Sequence, residues 1–164
     1  MIENTTKIKI RPASDVDIEA ICDLSDQINA QHHLHAPAVF VAQPNRQLDR
    51  LFWQATFQSQ HGTALLACDE TGVLGFITLS WHENLTIPFL YSRKICRIGT
   101  IVVAEHCQKN GIGKLLMEAA TAWGREHQTV EIRLEVFDFN RNAIGFYEAL
   151  GYGMQSHIMC KTLS

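Results

Sequence analysis

The chain predicts an α/β (α+β) fold: one domain over residues 1–164, with a mixed, mostly antiparallel sheet of six to seven strands and helices on both faces. Three observations carry the prediction. Short β-branched runs come first as a meander and later alternate with helical stretches. A strand, a glycine turn and a long amphipathic stretch follow one another directly between residues 98 and 126. Finally, 164 residues that are 46% hydrophobic suit a single sizeable core, and no Pro/Ser linker or internal repeat divides them.

Taken in order, Lys7-Ile8-Lys9-Ile10-Arg11 alternates as a first strand. Pro12-Ala13-Ser14 leads into a helix from Asp15 to about Ala30, with Ser14 as N-cap and Asp17 three residues on. A second helix, from Gln47 to about Gln58, carries Leu48, Leu51, Phe52 and Ala55 at helical spacing. Residues 64–68, a Glu70-Thr71-Gly72 turn and residues 73–81 make a hairpin. The next strand covers roughly residues 95–103 and ends in the β-branched run Ile98-Gly99-Thr100-Ile101-Val102-Val103. In the helix that follows, apolar residues fall at Ile112, Leu115, Leu116, Ala119, Ala120 and Trp123, a single buried stripe, while Lys114, Glu118, Arg125 and Glu126 mostly face water. Residues 130–137 form a strand, a short capped helix ends at a glycine stop, and residues 152–162 close the sheet.

The junction Gln108-Lys109-Asn110-Gly111-Ile112-Gly113 is the first candidate site. At the first turn of a helix the N–H groups have no intrahelical partner and the dipole is positive. Glycines that admit a phosphate therefore make such a junction a pyrophosphate cradle. Two common phosphate loops fail on spacing. The dinucleotide fingerprint needs a glycine where Leu116 stands, and the mononucleotide loop needs Ser or Thr where Leu115 follows Gly113-Lys114. A tight strand-to-helix turn with no ligand is the competing reading of a bare Gly-x-Gly.

The second half of the chain adds Leu134-Glu135-Val136-Phe137-Asp138-Phe139-Asn140-Arg141-Asn142-Ala143-Ile144-Gly145-Phe146-Tyr147-Glu148-Ala149-Leu150-Gly151-Tyr152. Together the two motifs resemble the GNAT superfamily of N-acetyltransferases. That family's loop reads Arg or Gln, two residues, Gly, one residue, Gly or Ala, which Gln108, Gly111 and Gly113 match. Its later signature is matched by Asn140, Ala143, Phe146, Tyr147, Glu148, Leu150, Gly151 and Tyr152. The likeness extends from Ile8 to Leu163, with residues 32–60 alike only in length and helical character. It implies acetyl-CoA as co-substrate, held by Gln108, Lys109, Asn110, Gly111, Ile112, Gly113 and Lys114, by Ile101, Val102 and Val103, and by Asn140, Ala143, Phe146 and Tyr147. No metal is called for. Gln108 replaces the commoner Arg, so the phosphates would rely on backbone donors and on Lys109 or Lys114.

Charge narrows the partners. Seventeen acidic and fourteen basic residues give a net charge of −3 with no basic run, so neither nucleic acid nor an anionic membrane is an evident partner. The first six residues lack a signal-peptide core and no apolar run spans a bilayer, which predicts a soluble, cytoplasmic protein. Five cysteines without a Cys-x-x-Cys pair read as reduced thiols. An exposed strand edge in the last segment is where a second copy would pair as a homodimer.

Acyl transfer to an amine needs a base, a polarised carbonyl and a proton for the departing thiolate. An amine with pKa ~10.4 is only about 0.04% free base at pH 7, so its proton has to be removed. Glu135 is the candidate base: in an otherwise apolar strand beside Phe137, burial would strengthen its basicity. An ion pair with Arg133 or Arg97 is its structural alternative. The resemblance adds that some family members carry a Glu-Val strand followed by Asn and Tyr, with Glu as base and Tyr as acid. It makes Tyr147 the general acid and Asn140 both N-cap and cofactor ligand; a core aromatic is the plain alternative for Tyr147. A backbone N–H at residues 101–103 would polarise the carbonyl, with Gly99 marking a bulge.

The acceptor is less legible. His32, His33 and His35 read as a solvated helix end, acceptor contacts or metal ligands. His106 and Cys107 read as packing or rim residues, and Trp53, Phe57, Trp81 and Phe89 as core or acceptor-pocket aromatics. The enzyme reading is transfer of an acetyl group to a small-molecule, amino-sugar or peptide amine. A non-catalytic acyl-CoA-binding sensor or docking module is the alternative.

Overall fold

The computed structural model describes residues 7–163; residues 1–6, whose composition lacks a signal-peptide core, and residue 164 lie outside the description. The elements are β1 (Lys9–Pro12), α1 (Ile18–His35), α2 (Arg46–Phe57), β2 (Gly62–Asp69), β3 (Gly72–Glu83), β4 (Lys94–Val103), α3 (Ile112–Glu126), β5 (Glu131–Leu134) and α4 (Arg141–Ala149). They fall into two compact units, a larger one through Leu134 and a smaller one from Glu135 onward.

In the larger unit the strands lie in the order β1-β2-β3-β4-β5. The first four are antiparallel neighbours, and β5 runs parallel to β4 after the α3 crossover. Side chains alternate across the pleat, so the two faces separate at adjacent residues of β3. Phe76, in register with Leu66 and Val102, packs with Trp53 of α2 (5.3 Å between ring centroids) and with Ile18, Ile21 and Cys22. On the other face α3 comes so close that a side-chain carbon at Gly75 would lie 3.4 Å from Leu116 Cδ1, and one at Gly124 would lie 3.6 Å from Cys96 Cβ. Helices therefore cover both faces, as expected. The buried stripe of α3 is Ile112, Leu116, Met117, Ala120 and Gly124, rotated from the predicted one so that Leu115 is 36% exposed. The close approaches at Gly75 and Gly124 fall on this observed stripe, and no helical periodicity encodes them.

The start of α1 is fixed electrostatically. A single 3-10 turn, Asp15–Asp17, precedes the helix. Asp17 accepts from the Ser14 N–H and hydroxyl, at 2.9 and 3.0 Å, and pairs with Arg11 at 2.6 Å. The Arg11 guanidinium holds the buried Asp17 carboxyl down to about 2. Between α1 and α2, Arg46 bonds Glu19, Asp23 and Asp26, and Arg50 bonds Glu19.

Two strand expectations need correction. The strand predicted over residues 130–137 stops at Leu134, leaving Glu135 past its end. Residues 152–162 form no strand, so the sheet has five strands rather than six or seven, and the edge expected to pair with a second copy does not form there. Alternating apolar residues measure fit to a neighbouring strand rather than an intrinsic backbone preference. In this segment Ile158 and Met159 stand 81% and 93% exposed. Among the described residues, no helix is long and apolar enough to cross a membrane.

Candidate functional site

Strand β4 is built in two halves. Its pairing with β5 covers residues 95–98, ending at Ile98↔Leu134, and β4 then runs on to Val103. At that point its register with β3 slips: Leu79 faces Ile98 but Ile77 faces Ile101, so an extra residue is accommodated at Gly99-Thr100. This is the bulge that Gly99 was expected to mark. A side chain at Gly99 would press to 2.9 Å from Thr78 Oγ1, which instead accepts the Thr100 N–H at 2.8 Å. Beyond the bulge, alternate N–H groups among Ile101, Val102 and Val103 point away from β3. Val102 is buried and its two neighbours are half-buried.

A 3-10 turn, Glu105–Cys107, connects β4 to the glycine turn. Gln108, Lys109, Asn110 and Gly111 are exposed. Lys109 (φ 65°) and Gly111 (φ 81°) are both left-handed, a backbone shape that turns successive N–H groups toward one concavity. Gly111 caps α3 without any side-chain hydrogen bond, and the first bond of the helix runs from the Leu115 N–H to the Gly111 carbonyl at 3.1 Å. The N–H groups of Ile112, Gly113 and Lys114 thus have no partner within the helix. A Cβ on Gly111 would meet no atom within 4 Å, so the space in front of the turn is open. Lys114 is exposed and lies 3.9 Å from Glu118. Residues 101–103 and 108–114 are therefore successive parts of one strand, turn and helix, as the sequence suggested.

In the smaller unit, Asn140 Oδ1 accepts the Ala143 N–H at 3.2 Å and so caps α4. Ala143 and Tyr147, four residues apart, share a helix face. The Tyr147 ring lies 5.4 Å from Phe146 and 6.0 Å from Tyr152, whose N–H bonds the Tyr147 carbonyl at 3.0 Å. Burial, and secondarily the neighbouring Tyr152, pushes the Tyr147 phenol up to about 12. Glu135 is exposed rather than held in an apolar strand, so the burial expected to strengthen it as a base is not provided. Arg133, one of its expected partners, is paired with Glu131.

Three residues that position the site escaped the sequence reading. Gln27 of α1 donates to the Val103 carbonyl (3.2 Å) and accepts the Glu105 N–H (3.1 Å), clamping the exit from β4. One turn later Gln31 bonds Glu105 at 3.0 Å. Thr78 holds the bulge. The only signals available were two glutamines at i, i+4 and a lone threonine in an apolar run. Gln108, predicted to face phosphates, also ties back to the Val103 carbonyl at 3.3 Å.

The histidines His32, His33 and His35 each set Nδ1 against a main-chain carbonyl, of Ile28, Phe40 and Gln31 respectively, at the end of α1. No group of three or more His, Cys, Asp or Glu residues suited to a metal occurs among the described residues. Trp53 is in the core and Phe57 and Cys107 pack against it, whereas Phe89 is 85% exposed. Trp81 packs against His61 at a tilt of 58°, 4.1 Å between ring centroids, and carries Lys94 at 4.2 Å from its ring centre.

Residues 28–152 match the model of the Acetyltransferase (GNAT) family. Among solved structures, a point mutant of the BH1408 protein from Bacillus halodurans aligns with a TM-score of 0.89 at 29% identity, over 95% of this chain and 99% of that one. The aminoglycoside N-acetyltransferase AAC(6')-Iy in complex with CoA aligns at 0.80 with 16% identity, over 99% of each chain. Its complex with the bisubstrate analogue CoA-S-monomethyl-acetylneamine aligns at 0.77 and 16%, over 97% and 99%. At 16% identity the likeness is one of fold. No curated protein matches the chain.

Proposed function

Because the chain belongs to the acetyltransferase (GNAT) family, we propose that residues 1–164 act as one acetyl-CoA-dependent N-acetyltransferase domain, transferring the acetyl group to a primary amine of a small molecule, amino sugar or peptide. The observation that carries this reading is the turn at Gly111: an open, left-handed N-terminus of a well-buried helix whose first amides have no partner within the helix. Its donor set fits a pyrophosphate. Backbone N–H groups of residues 111–114 supply direction and the helix dipole supplies sign, while Lys109 and Lys114 supply charge in place of the missing Arg. That a structure of this fold was solved with CoA supports the same assignment.

When bound, acetyl-CoA supplies a thioester carbonyl open to attack and a thiolate leaving group. A β4 N–H beyond the bulge, among residues 101–103, polarises the carbonyl oxygen, in a strand held rigid by Thr78 and Gln27. Glu135, exposed to water, takes the proton of the acceptor ammonium directly or through a water, and the free amine attacks. Tyr147 keeps its proton throughout the physiological range. A phenol that weak meets the charge growing on sulfur as a hydrogen-bond donor, and proton transfer follows only as the thiolate separates.

Calorimetric titration with acetyl-CoA and with CoA, followed by a thiol-release screen of amines, tests the proposal. Micromolar binding with thiol release on adding an amine supports it. Binding of both nucleotides without turnover of any amine would instead support the acyl-CoA-binding module, and a folded protein that binds neither would overturn the cradle.

A further inference from the structure

We infer, building on the acetyltransferase reading, that the acceptor is a monoamine with a neutral aromatic or aliphatic body, and that the acceptor site discriminates against polycations. A cleft opens on the α2 face of the sheet and reaches the β4 bulge. It is lined chiefly by Phe52 and Thr56 of α2, Thr78 and Ser80 of β3, and Gly99 and Thr100. An amine that attacks a carbonyl polarised from β4 has to approach along β4, and this cleft leads there.

The lining sets the chemistry. Among the described residues, it carries no ionisable side chain. Three of its hydroxyls are already engaged: Thr56 donates to the Phe52 carbonyl at 3.0 Å, Thr78 accepts from the Thr100 N–H at 2.8 Å, and Ser80 Oγ lies 3.0 Å from His82 Nε2. They offer neutral dipoles that suit one ammonium in transit. Of the carboxylates of the adjoining helices, Glu19, Asp23 and Asp26 are engaged by Arg46 and Arg50, and Asp49 lies in the field of the same Arg46. A second or third ammonium entering with the first would lose hydration and find no counter-charge among the residues that line the cleft. An apolar body finds Phe52, 61% exposed and set edge-on against the buried Trp53 at 4.8 Å.

The test compares phenethylamine with spermidine and neamine, as acceptors in thiol release and as ligands titrated into the CoA-saturated protein. Phenethylamine should lead both polycations by about tenfold or more in kcat/KM and in affinity. Phe52→Glu, at an exposed position, should narrow or reverse that ratio by weakening phenethylamine and strengthening neamine, while Phe52→Leu should keep the order. A wild-type protein that uses or binds either polycation as well as phenethylamine overturns the inference, and so does a Phe52→Glu variant with an unaltered ratio. Titration with acetyl-CoA alone separates the two levels: cofactor binding with polycation preference defeats only the acceptor class, whereas its absence defeats the reading beneath.

Discussion

Helices α3 and α4 both begin at a turn assigned to the cofactor, yet they are held in opposite ways. The fifteen residues of α3 bury Ile112, Leu116, Met117, Ala120 and Gly124, and no side chain caps its N-terminus. None of the nine residues of α4 is fully buried, Tyr147 being half-buried, and the Asn140 side chain caps the first turn. A helix pinned along its length by packing can leave its first amides to a ligand, because its own stability does not depend on satisfying them. A short, unburied helix needs its cap, so what it offers a ligand is side chains. In the proposed function, backbone recognition falls to α3 and proton chemistry to α4.

The strongest way to break this contrast is to loosen α3. Leu116 is fully buried against Gly75, and Leu116→Ala should destabilise the fold by about 3 kcal/mol through lost burial and a residual cavity. Denaturant unfolding measures it; a loss below about 1 kcal/mol would mean that α3 is not held by its packing. Next in size is the cradle. Gly111→Glu adds a side chain at φ 81°, where only glycine is unstrained, and a negative charge where phosphates are expected. The acetyl-CoA Kd should rise about 100-fold, equivalent to roughly 2.7 kcal/mol, alongside a smaller loss of stability of about 1–2 kcal/mol from the left-handed strain. An unaltered Kd by calorimetry would remove the backbone from recognition.

The side-chain half of the contrast rests on Tyr147. Tyr147→Phe should lower kcat about tenfold or more, roughly 1.4 kcal/mol, and leave acetyl-CoA affinity nearly unchanged. The pH profile sharpens this. The neutral phenol is the working form, and burial extends its range upward, so activity that depends on it should persist as pH rises through 10, the ordinary tyrosine value, and fail only near 12. A loss of kcat centred near pH 10 in the wild type and absent from Tyr147→Phe would contradict the burial assigned to this ring.

How much of this was legible in the sequence depended on how local each demand is. Gly111 was readable because a left-handed cap asks for glycine at one position, and Asn140 because a cap is settled within three residues. Lys109 was not, since nothing in its type announces φ 65°. Thr78 and Gln27 act across 22 to 78 residues, and their partners are backbone atoms with no identity in the sequence. The rotation of the α3 stripe from Leu115 to Met117 was hidden for the same reason: the surfaces α3 packs against, Gly75 among them, sit on other elements. Glu135 was misjudged because strand propensity ran on past Leu134, and residues 152–162 because alternation cannot supply a neighbouring strand.

The smallest expected effect is the most selective between the two modes of anchoring. Asn140→Ala removes the hydrogen bond to the Ala143 N–H and should cost about 1 kcal/mol of local stability. Because no residue of α4 is fully buried, that cost should appear as fraying of α4 rather than as global unfolding. Hydrogen exchange should then speed up at residues 143–147 while the amides of β3 and α3 keep their protection. With Tyr147 on the frayed helix, kcat should fall with it, and Asn140→Asp, which retains an acceptor oxygen at the cap, should restore both. Uniform loss of protection across β3 and α3 would show instead that α4 is as integral to the fold as α3, and the division between packed and capped helices would fail.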